Sequence, residues 1–304
     1  MLDDRPLSRS DWTDAVARGE APDPAALRDH LRRVHREHTG FTEACAARCR
    51  DAEGRSSYEW LAEAVDPGVH RTALDLACGS GPLLEICHRR FPAELALIGV
   101  DMSPEELALA RARLPVSRAR LIEARAQSLD ALADGSVDVA LCHWALTLMD
   151  PVAPVLAEMA RVVARDGRFA AIVDGSMDAA PGYGALHEIV YDHVRAELPG
   201  YGETELGDPR VRDADSLASL VGRAFPDASV TVEPNLVSME GPPGRIAEEA
   251  AGFFYAAFVL PPERRATMLA ELTDLVRAND PSGAGGHFVM PINRLVVRRG
   301  EDPR

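Results

Sequence analysis

The sequence Thr-Ala-Leu-Asp-Leu-Ala-Cys-Gly-Ser-Gly occupies residues 72–81 and indicates more about the fold than any other part of the chain. A short apolar run that ends in small residues is typical of a buried strand followed by a tight turn. Residues 81–91 (GPLLEICHRRF) then have the apolar spacing of a helix. The segment therefore predicts a strand, a glycine-rich turn and a helix in succession.

Strands and helices alternate after this turn. Further strands are predicted at 94–101 (ELALIGVD), 117–126 (SRARLIEARA), 137–144 (VDVALCHW) and 168–175 (RFAAIVDG). Helical segments separate them, which is typical of a parallel sheet covered on both faces by helices. Beyond residue 175 we expect helices at 185–198, 213–225, 245–258 and 262–278, and strands at 229–237 and 288–299.

The small residues of the turn favour a ligand at the carboxyl edge of the first strand, because they let the backbone approach it closely. Asp101 lies 20 residues after Gly81, at the end of the second predicted strand. A carboxylate there can accept two hydrogen bonds from a ribose diol. Pro82, Leu83 and Leu84 follow Gly81, so the third glycine of G-x-G-x-x-G is missing. This disfavours a pyrophosphate at the helix N-terminus, and with it an NAD-dependent oxidoreductase.

Four segments in order resemble the motifs of class I S-adenosylmethionine-dependent methyltransferases. They are LDLACGSG (74–81), GVDMSPEELALARARL (99–114), RAQSLDALADGSVDVALCHWALTLM (125–149) and LAEMARVVARDGRFAAIV (156–173). The resemblance spans residues 56–174, and flanking segments such as GDPRVRDADSLASLV resemble the small-molecule branch of the family.

The resemblance implies a Rossmann-like α/β fold with a seven-stranded, mostly parallel sheet and an antiparallel last strand. We expect residues 1–65 to form a helical N-terminal cap and residues 66–304 to form the methyltransferase-fold domain. Within that domain we expect a helical insertion at about 241–280, with the whole chain as one structural unit.

The same resemblance implies S-adenosylmethionine as cofactor and assigns residues to it. Asp75 would organise the turn and hold the methionine amino group, and Asp101 would hold the ribose hydroxyls. Contacts with the rest of the cofactor are expected from Ala77, Gly79, Gly81, Met102, Gln127, Ser128, Leu129, Cys142 and Tyr58. Gln127-Ser128 is neutral where many relatives carry an acid.

Catalysis by this family needs alignment at a sulfonium methyl, and a base only where the acceptor must lose a proton. His143 is the first candidate base and Asp174 the second, since each ends a predicted strand. The alternative for His143 is an imidazole wedged against Trp144, and for Asp174 a strand terminator. Proposed substrate contacts are Trp144, Phe254, Tyr255, Phe258 and His287. For the aromatic cluster, simple core packing is the alternative, as it is for Tyr58.

The composition excludes several other chemistries. The chain has 304 residues, 48 acidic and 33 basic, with a net charge of −15, and every basic residue is arginine. Without lysine, a Schiff-base mechanism and a G-x-x-x-x-G-K-[ST] phosphate loop are excluded. The acidic balance argues against a nucleic-acid partner.

The cysteines and the apolar runs bear on location. The count of five cysteines is odd and no C-x-x-C occurs, which disfavours a disulfide scaffold and a thiolate zinc site and suggests a reducing, cytoplasmic setting. We predict no metal site. The N-terminus lacks the apolar core of a signal peptide and no apolar run is long enough to span a membrane, so no membrane association is expected.

The sequence thus predicts methyl transfer from S-adenosylmethionine to a small molecule, in bacterial natural-product or antibiotic biosynthesis. Two alternatives stay open. The first is a non-methylating reaction on the same fold, such as cyclisation, intramolecular displacement or elimination. The second is a non-catalytic partner subunit, and a homodimer also stays open.

Overall fold

The computed structural model of the protein describes residues 9–91, 93–203 and 206–300. Its strands in chain order are β1 (Thr72–Leu76), β2 (Ala96–Asp101), β3 (Ala119–Glu123), β4 (Val137–His143), β5 (Val163–Asp174), β6 (Ala228–Gly241) and β7 (Gly286–Arg299). Its α-helices are α1 (Asp11–Ala17), α2 (Pro24–Glu37), α3 (Phe41–Arg48), α4 (Ser57–Ala62), α5 (Pro82–Arg90), α6 (Pro104–Arg113), α7 (Ala153–Val162), α8 (Tyr183–Glu197), α9 (Ala214–Ala224), α10 (Pro243–Gly252) and α11 (Pro262–Ala278).

The strands form one seven-stranded sheet in the order β3-β2-β1-β4-β5-β7-β6. β1 pairs in parallel with β2 and β4, and β2–β3 and β4–β5 are also parallel. β7, the last strand, runs antiparallel to β5. The mostly parallel sheet with an antiparallel last strand that was predicted from the sequence is therefore confirmed.

The parallel register brings the candidate site residues to one edge of the sheet. In β1 and its neighbours, Asp75 is level with Gly99 and Leu141, and His143 in β4 is level with Ile172 in β5. The carboxyl ends of parallel strands in such a sheet meet at the same edge. The turn after β1, Asp101, His143 and Asp174 therefore all lie at that edge.

Gly99 fixes how closely the layers pack behind this edge. A Cβ at this position would lie 2.7 Å from Leu121 Cδ2, 2.8 Å from Leu84 Cδ1 and 2.9 Å from Cys78 Sγ. Because glycine carries no Cβ, α5 and β3 approach β2 directly. The other face of the sheet packs Leu76, Phe169 and Leu295 into a fully buried core with residues of α7 and α9.

Local capping explains where several helices begin. The Asp23 carboxylate accepts the Ala26 N–H at 2.7 Å, and Pro24 occupies the first turn of α2. Ser103 caps α6 in the same way, with Pro104 following it. At α4, Ser56 and Glu59 form a reciprocal capping box. Asp-Pro and Ser-Pro pairs are typical of such helix starts, because the side chain accepts a backbone N–H and proline fits the first helical turn.

The chain divides into two compact units, which differs from the single unit expected. The described residues of the sheet unit lie within 55–175, 206–235 and 292–300, and those of the helical unit lie within 9–54, 176–203 and 236–291. The first boundary falls at residue 54 and not at 65, because α4 packs against β4, β5 and α5 of the sheet unit. Residues far apart in the chain build the helical unit, which sequence periodicity cannot show.

The helical unit has an aromatic interior. Trp12 stacks on His30 with ring centroids 4.8 Å apart and meets Tyr201 edge-on at 5.2 Å. Burial lowers the pKa of His30 to about 4. Glu197 of α8 pairs with Arg264 of α11, which ties two long helices together.

The helix expected at 245–258 ends at Gly252, and residues Tyr255–Val259 form a 3₁₀ turn. The prediction of one continuous helix was wrong. Phe254, Tyr255 and Phe258 are all buried, and a regular helix would turn consecutive side chains about 100° apart. None of the helices in the described part of the chain combines the length and apolarity that a membrane crossing requires.

Candidate active site

The turn after β1 is built on left-handed backbone. Ala77, Gly79 and Gly81 have φ values of 57°, 51° and 83°, and the Gly81 N–H closes the turn on the Cys78 carbonyl at 2.9 Å. Glycine adopts such φ values without steric cost, whereas alanine at 77 stores strain of about 1 kcal/mol or more. Ala77 is therefore a position of this turn at which glycine would be less strained.

Gly81 also allows a close helix contact. A Cβ there would lie 3.0 Å from the Cβ of Ala110 and 3.3 Å from its Cα, so α6 packs directly against the turn. A side chain at residue 81 would push the two apart. The turn, the start of α5 and the side of α6 therefore form one cradle.

Asp101 ties this cradle to the end of β2. Its Oδ2 accepts the Gly79 N–H at 2.8 Å and its Oδ1 accepts the Ser103 N–H at 2.8 Å. A carboxylate accepts hydrogen bonds through both of its oxygens. The position of Asp101 at the end of β2 fits a ligand hydroxyl pair.

Asp75 has a less common environment. The residue is 3% exposed, and its Oδ2 atom has no hydrogen-bond partner among the described residues. Burial, and then the charge of Asp101, raise the pKa of Asp75 well above its ordinary value. A buried carboxylate without a partner is costly, so a positively charged ligand group beside it would be strongly favoured.

The segment 127–129 is held by two residues that the sequence did not single out. The Leu129 N–H donates to Glu158 Oε2 at 2.6 Å, and Arg161 donates to the Leu129 carbonyl at 3.1 Å. Ser128 is exposed and its hydroxyl donates to Asp130, while the Gln127 amide makes only a 3.5 Å contact with the Pro151 carbonyl. The i,i+3 spacing of Glu158 and Arg161 in α7 could have predicted the ion pair between them. Nothing in the sequence showed that the pair bonds to the backbone of Leu129.

His143 lies at the end of β4 in contact with α4. Ser57 Oγ is 2.9 Å from His143 Nε2, and the Tyr58 ring stacks on the imidazole with centroids 3.6 Å apart. Burial lowers the pKa of His143 to about 3, so the ring is neutral at physiological pH. Trp144 also contacts the ring, edge-on at 5.3 Å. Tyr58 therefore lies at this site, and Ser57 is a residue that the sequence reasoning missed.

Asp174 is engaged by three neighbours. Its Oδ1 accepts the Trp144 indole N–H at 2.8 Å, its Oδ2 lies 3.6 Å from Arg212 Nε, and its carbonyl accepts from the Asn293 amide at 3.1 Å. Trp144 itself has a φ of 59°, a conformation in which a bulky residue needs support. Asp174 thus holds the Trp144 ring in place.

Two further predicted contacts differ in accessibility. Met102 is half-buried directly after Asp101. The Cys142 side chain is fully buried in the hydrophobic core, and burial raises the pKa of its thiol to about 12. Cys142 therefore offers a ligand only its backbone.

The other predicted substrate residues lie in the helical unit. The Tyr255 hydroxyl is 2.7 Å from His35 Nε2. The ring centroids of Phe258 and Phe41 are 4.6 Å apart, and those of Phe254 and Tyr183 are 6.4 Å apart. All three predicted rings are buried in this unit, and their contact with a substrate stays a prediction. His287 is half-buried near the start of β7.

Part of the sequence, and the fold, resemble those of known proteins. Residues 74–171, about a third of the chain, match the family model described as a methyltransferase domain. This chain carries a methyltransferase domain. The matched segment contains the last three residues of β1, the glycine-rich turn, Asp101 and His143. The sequence matches no curated protein.

Several solved structures resemble this chain over most of its length. The YcgJ protein of Bacillus subtilis covers 81% of this chain and 98% of its own at 16% identity, with a TM-score of 0.54. BH2331 of Bacillus halodurans covers 81% and 99% at 12% identity, with a TM-score of 0.54. The [4+2]-cyclase SpnF covers 92% and 97% at 17% identity, with a TM-score of 0.56. Identities this low show the fold alone, and that fold is the class I methyltransferase fold.

Proposed function

We propose that the protein binds S-adenosylmethionine at the sheet edge formed by Asp75, the turn at residues 77–81 and Asp101, and that it methylates a small molecule. The observation that carries this proposal is the buried, unpartnered Oδ2 of Asp75. The cofactor is cationic at its sulfonium and at its α-amino group. A cationic group beside Asp75 would offset the desolvation of the carboxylate, so the site fits this cofactor.

Other residues complete the proposed cofactor site. Asp101 would accept the ribose hydroxyls while still holding the turn through Gly79. Met102 would pack on the adenine, and the segment 127–129 would line the adenine edge at the position that Glu158 and Arg161 fix. The left-handed turn residues would let the backbone approach the ligand.

The bound cofactor would supply an activated methyl group, and the chain would supply alignment and exclusion of water. A neutral His143 can accept a hydrogen bond from the acceptor group at any physiological pH. Its low pKa makes full proton transfer to it unfavourable, since efficient general bases have pKa values near the working pH. We therefore propose that His143 and Ser57 orient the acceptor, and that Asp174 supports Trp144 beside it.

Cyclisation or another non-methylating reaction is the second candidate. The likeness to SpnF extends over 92% of this chain, beyond the methyltransferase domain itself. A ring closure would use the same pocket and the same oriented hydrogen bonds. It would leave the methyl group on the cofactor.

Calorimetry with S-adenosylmethionine tests the cofactor proposal. Asp101→Ala should weaken binding at least tenfold, since it removes a charged acceptor. Asp101→Asn keeps one acceptor oxygen, so its affinity for S-adenosylmethionine should lie between those of the wild type and of Asp101→Ala. Asp227 is an exposed acid in the same unit, and Asp227→Ala should bind as the wild type does. Undiminished binding by Asp101→Ala would contradict the ribose assignment.

A methyl-labelled cofactor separates the two reactions. The protein is incubated with labelled S-adenosylmethionine and an extract of candidate small molecules, and products are identified by mass. A labelled product heavier by one CH₂ supports methyl transfer. An unlabelled product with altered connectivity supports the second candidate and overturns the first.

A further inference from the structure

A pocket lined by three arginines lies in the sheet unit, apart from the candidate active site. Its volume is about 150 Å³, and its walls are formed by Glu63, Ala64, Arg168, Arg294, Val296 and Arg298. We propose that this pocket binds a compact oxyanion, a phosphate group in preference to a carboxylate. This proposal is independent of the proposed methyl transfer.

Two of the arginines face each other across neighbouring strands. Arg168 in β5 and Arg298 in β7 are direct cross-strand partners. Side chains at such positions have Cβ atoms about 4.5–5.5 Å apart, so two like charges there repel. Arg168 donates only to the Ala64 carbonyl, at 3.2 Å, and neither guanidinium forms an ion pair within the described part of the chain. A bound anion would relieve this repulsion.

The third arginine is already balanced. Arg294 Nη2 lies 2.6 Å from Glu233, and its guanidinium stacks over Trp60 at 4.4 Å. Glu63, the one acid of the pocket wall, is shared between Arg55 at 3.0 Å and Arg294 at 3.5 Å. Arg168 and Arg298 therefore form no ion pair with the acids that the structure describes.

The chain has 48 acidic residues and 33 arginines, so acids that could pair with Arg168 and Arg298 are abundant in the sequence. Guanidinium groups bind phosphate oxygens through paired N–H donors, and two of them can neutralise a doubly charged group. A cavity of about 150 Å³ admits a ligand the size of benzene, so a phosphate group fits. A whole nucleotide is too large.

The pocket lies far from the catalytic edge. Arg168 precedes Asp174 by six residues in β5, which is about 20 Å along a strand. Ligand binding here is thus distinguishable from binding at the cofactor site.

Inorganic phosphate is the probe, titrated into the protein by calorimetry at constant ionic strength balanced with chloride. We expect saturable binding of one phosphate, unchanged by saturating S-adenosylhomocysteine. Arg168→Gln and Arg298→Gln should each weaken it about tenfold or more. The Arg223→Gln variant should bind phosphate as the wild type does, since Arg223 is an exposed residue of α9 whose guanidinium donates to the Ser219 hydroxyl.

Three outcomes would overturn the proposal. They are the absence of saturable binding, an affinity in both pocket variants equal to that of the wild type, and loss of phosphate binding when S-adenosylhomocysteine is present. Tighter binding of malonate than of phosphate would overturn the choice of phosphate. Melting temperatures measured in chloride verify folding, and they should not fall in either pocket variant, because each removes a like-charge contact.

Discussion

Ser57 Oγ lies 2.9 Å from Nε2 of His143, although the two residues are 86 positions apart in the sequence. Ser57 is fully buried at the start of α4, and the next residue, Tyr58, stacks on the same imidazole. The first turn of α4 therefore fixes both the plane of the ring and one of its nitrogens. These two contacts hold the His143 ring in one orientation at the carboxyl edge of the sheet.

Ser57→Ala should slow turnover about tenfold, because the hydrogen bond that orients His143 is lost. His143→Ala should slow turnover about a hundredfold, because the side chain that orients the acceptor is lost. Cofactor affinity should stay unchanged in both. Steady-state kinetics with the identified substrate, together with calorimetry, measure this. Ser136→Ala, at an exposed serine, is the matched control. If His143→Ala retains full turnover, the orienting role is wrong.

Asp75→Asn should abolish tight S-adenosylmethionine binding and yet stabilise the free protein by about 1–3 kcal/mol, because an unpaired buried carboxylate is replaced by a neutral group. The pKa of Asp75 is raised in the folded state, so its ionisation destabilises the fold as pH rises. The gain in melting temperature should therefore grow as the pH rises above about 3.9, the ordinary pKa of an aspartate.

Asp138→Asn is the control for Asp75→Asn. The Asp138 carboxylate accepts two backbone N–H groups, of Arg71 at 2.7 Å and of Thr72 at 2.8 Å. Its neutralisation should lower the melting temperature, because charge-assisted hydrogen bonds are weakened. A free Asp75→Asn protein that melts below the wild type would contradict the interpretation of Asp75 as an unpaired buried charge.

Acid stability should depend on His143. Its pKa is about 3 in the folded protein, whereas an unfolded histidine has a pKa of about 6.5. Between these values the unfolded chain binds the proton and the folded protein does not, so stability falls as pH is lowered from about 6.5 towards 3. His143→Gln should show a shallower decrease in urea-unfolding experiments from pH 7 to pH 4.

His30→Gln provides a second test of the same reasoning in the helical unit. Burial lowers the pKa of His30 to about 4, so the sign is the same and the pH window is narrower. An acid-stability slope that is identical in the wild type and both variants would show that neither imidazole is held neutral by burial.

Gly99→Ala should destabilise the protein by about 1–3 kcal/mol, since the new methyl group would overlap Leu121, Leu84 and Cys78. Gly222→Ala in α9 has no atom within 4 Å of the new Cβ and should stabilise it by about 0.5–1 kcal/mol. Chemical denaturation measures both. Equal effects of the two substitutions would show that α5 and β3 do not pack closely at Gly99.

The fold was largely predictable because its signals are local. The strand and turn at 72–81, the Asp23-Pro24 and Ser103-Pro104 caps and the alternation of strands with helices each depend on neighbours a few residues away. The end of α10 at Gly252 was missed because burial of rings on several sides, which is a tertiary effect, breaks the helical period. The second unit was missed because its three segments are distant in sequence.

By itself, the sequence determined the order of strands and helices, the position of the glycine-rich turn and the placement of Asp75, Asp101 and His143 at strand ends. Each of these follows from periodicity and turn chemistry along one short segment. Only the tertiary structure determined the environment of these groups. Burial left Oδ2 of Asp75 without a hydrogen-bond partner among the described residues. Packing of α4 placed Ser57 and Tyr58 on His143, and the β5–β7 register set Arg168 against Arg298. Solvation and charge at a site depend on what surrounds it in space, and residues distant in the chain supply those surroundings.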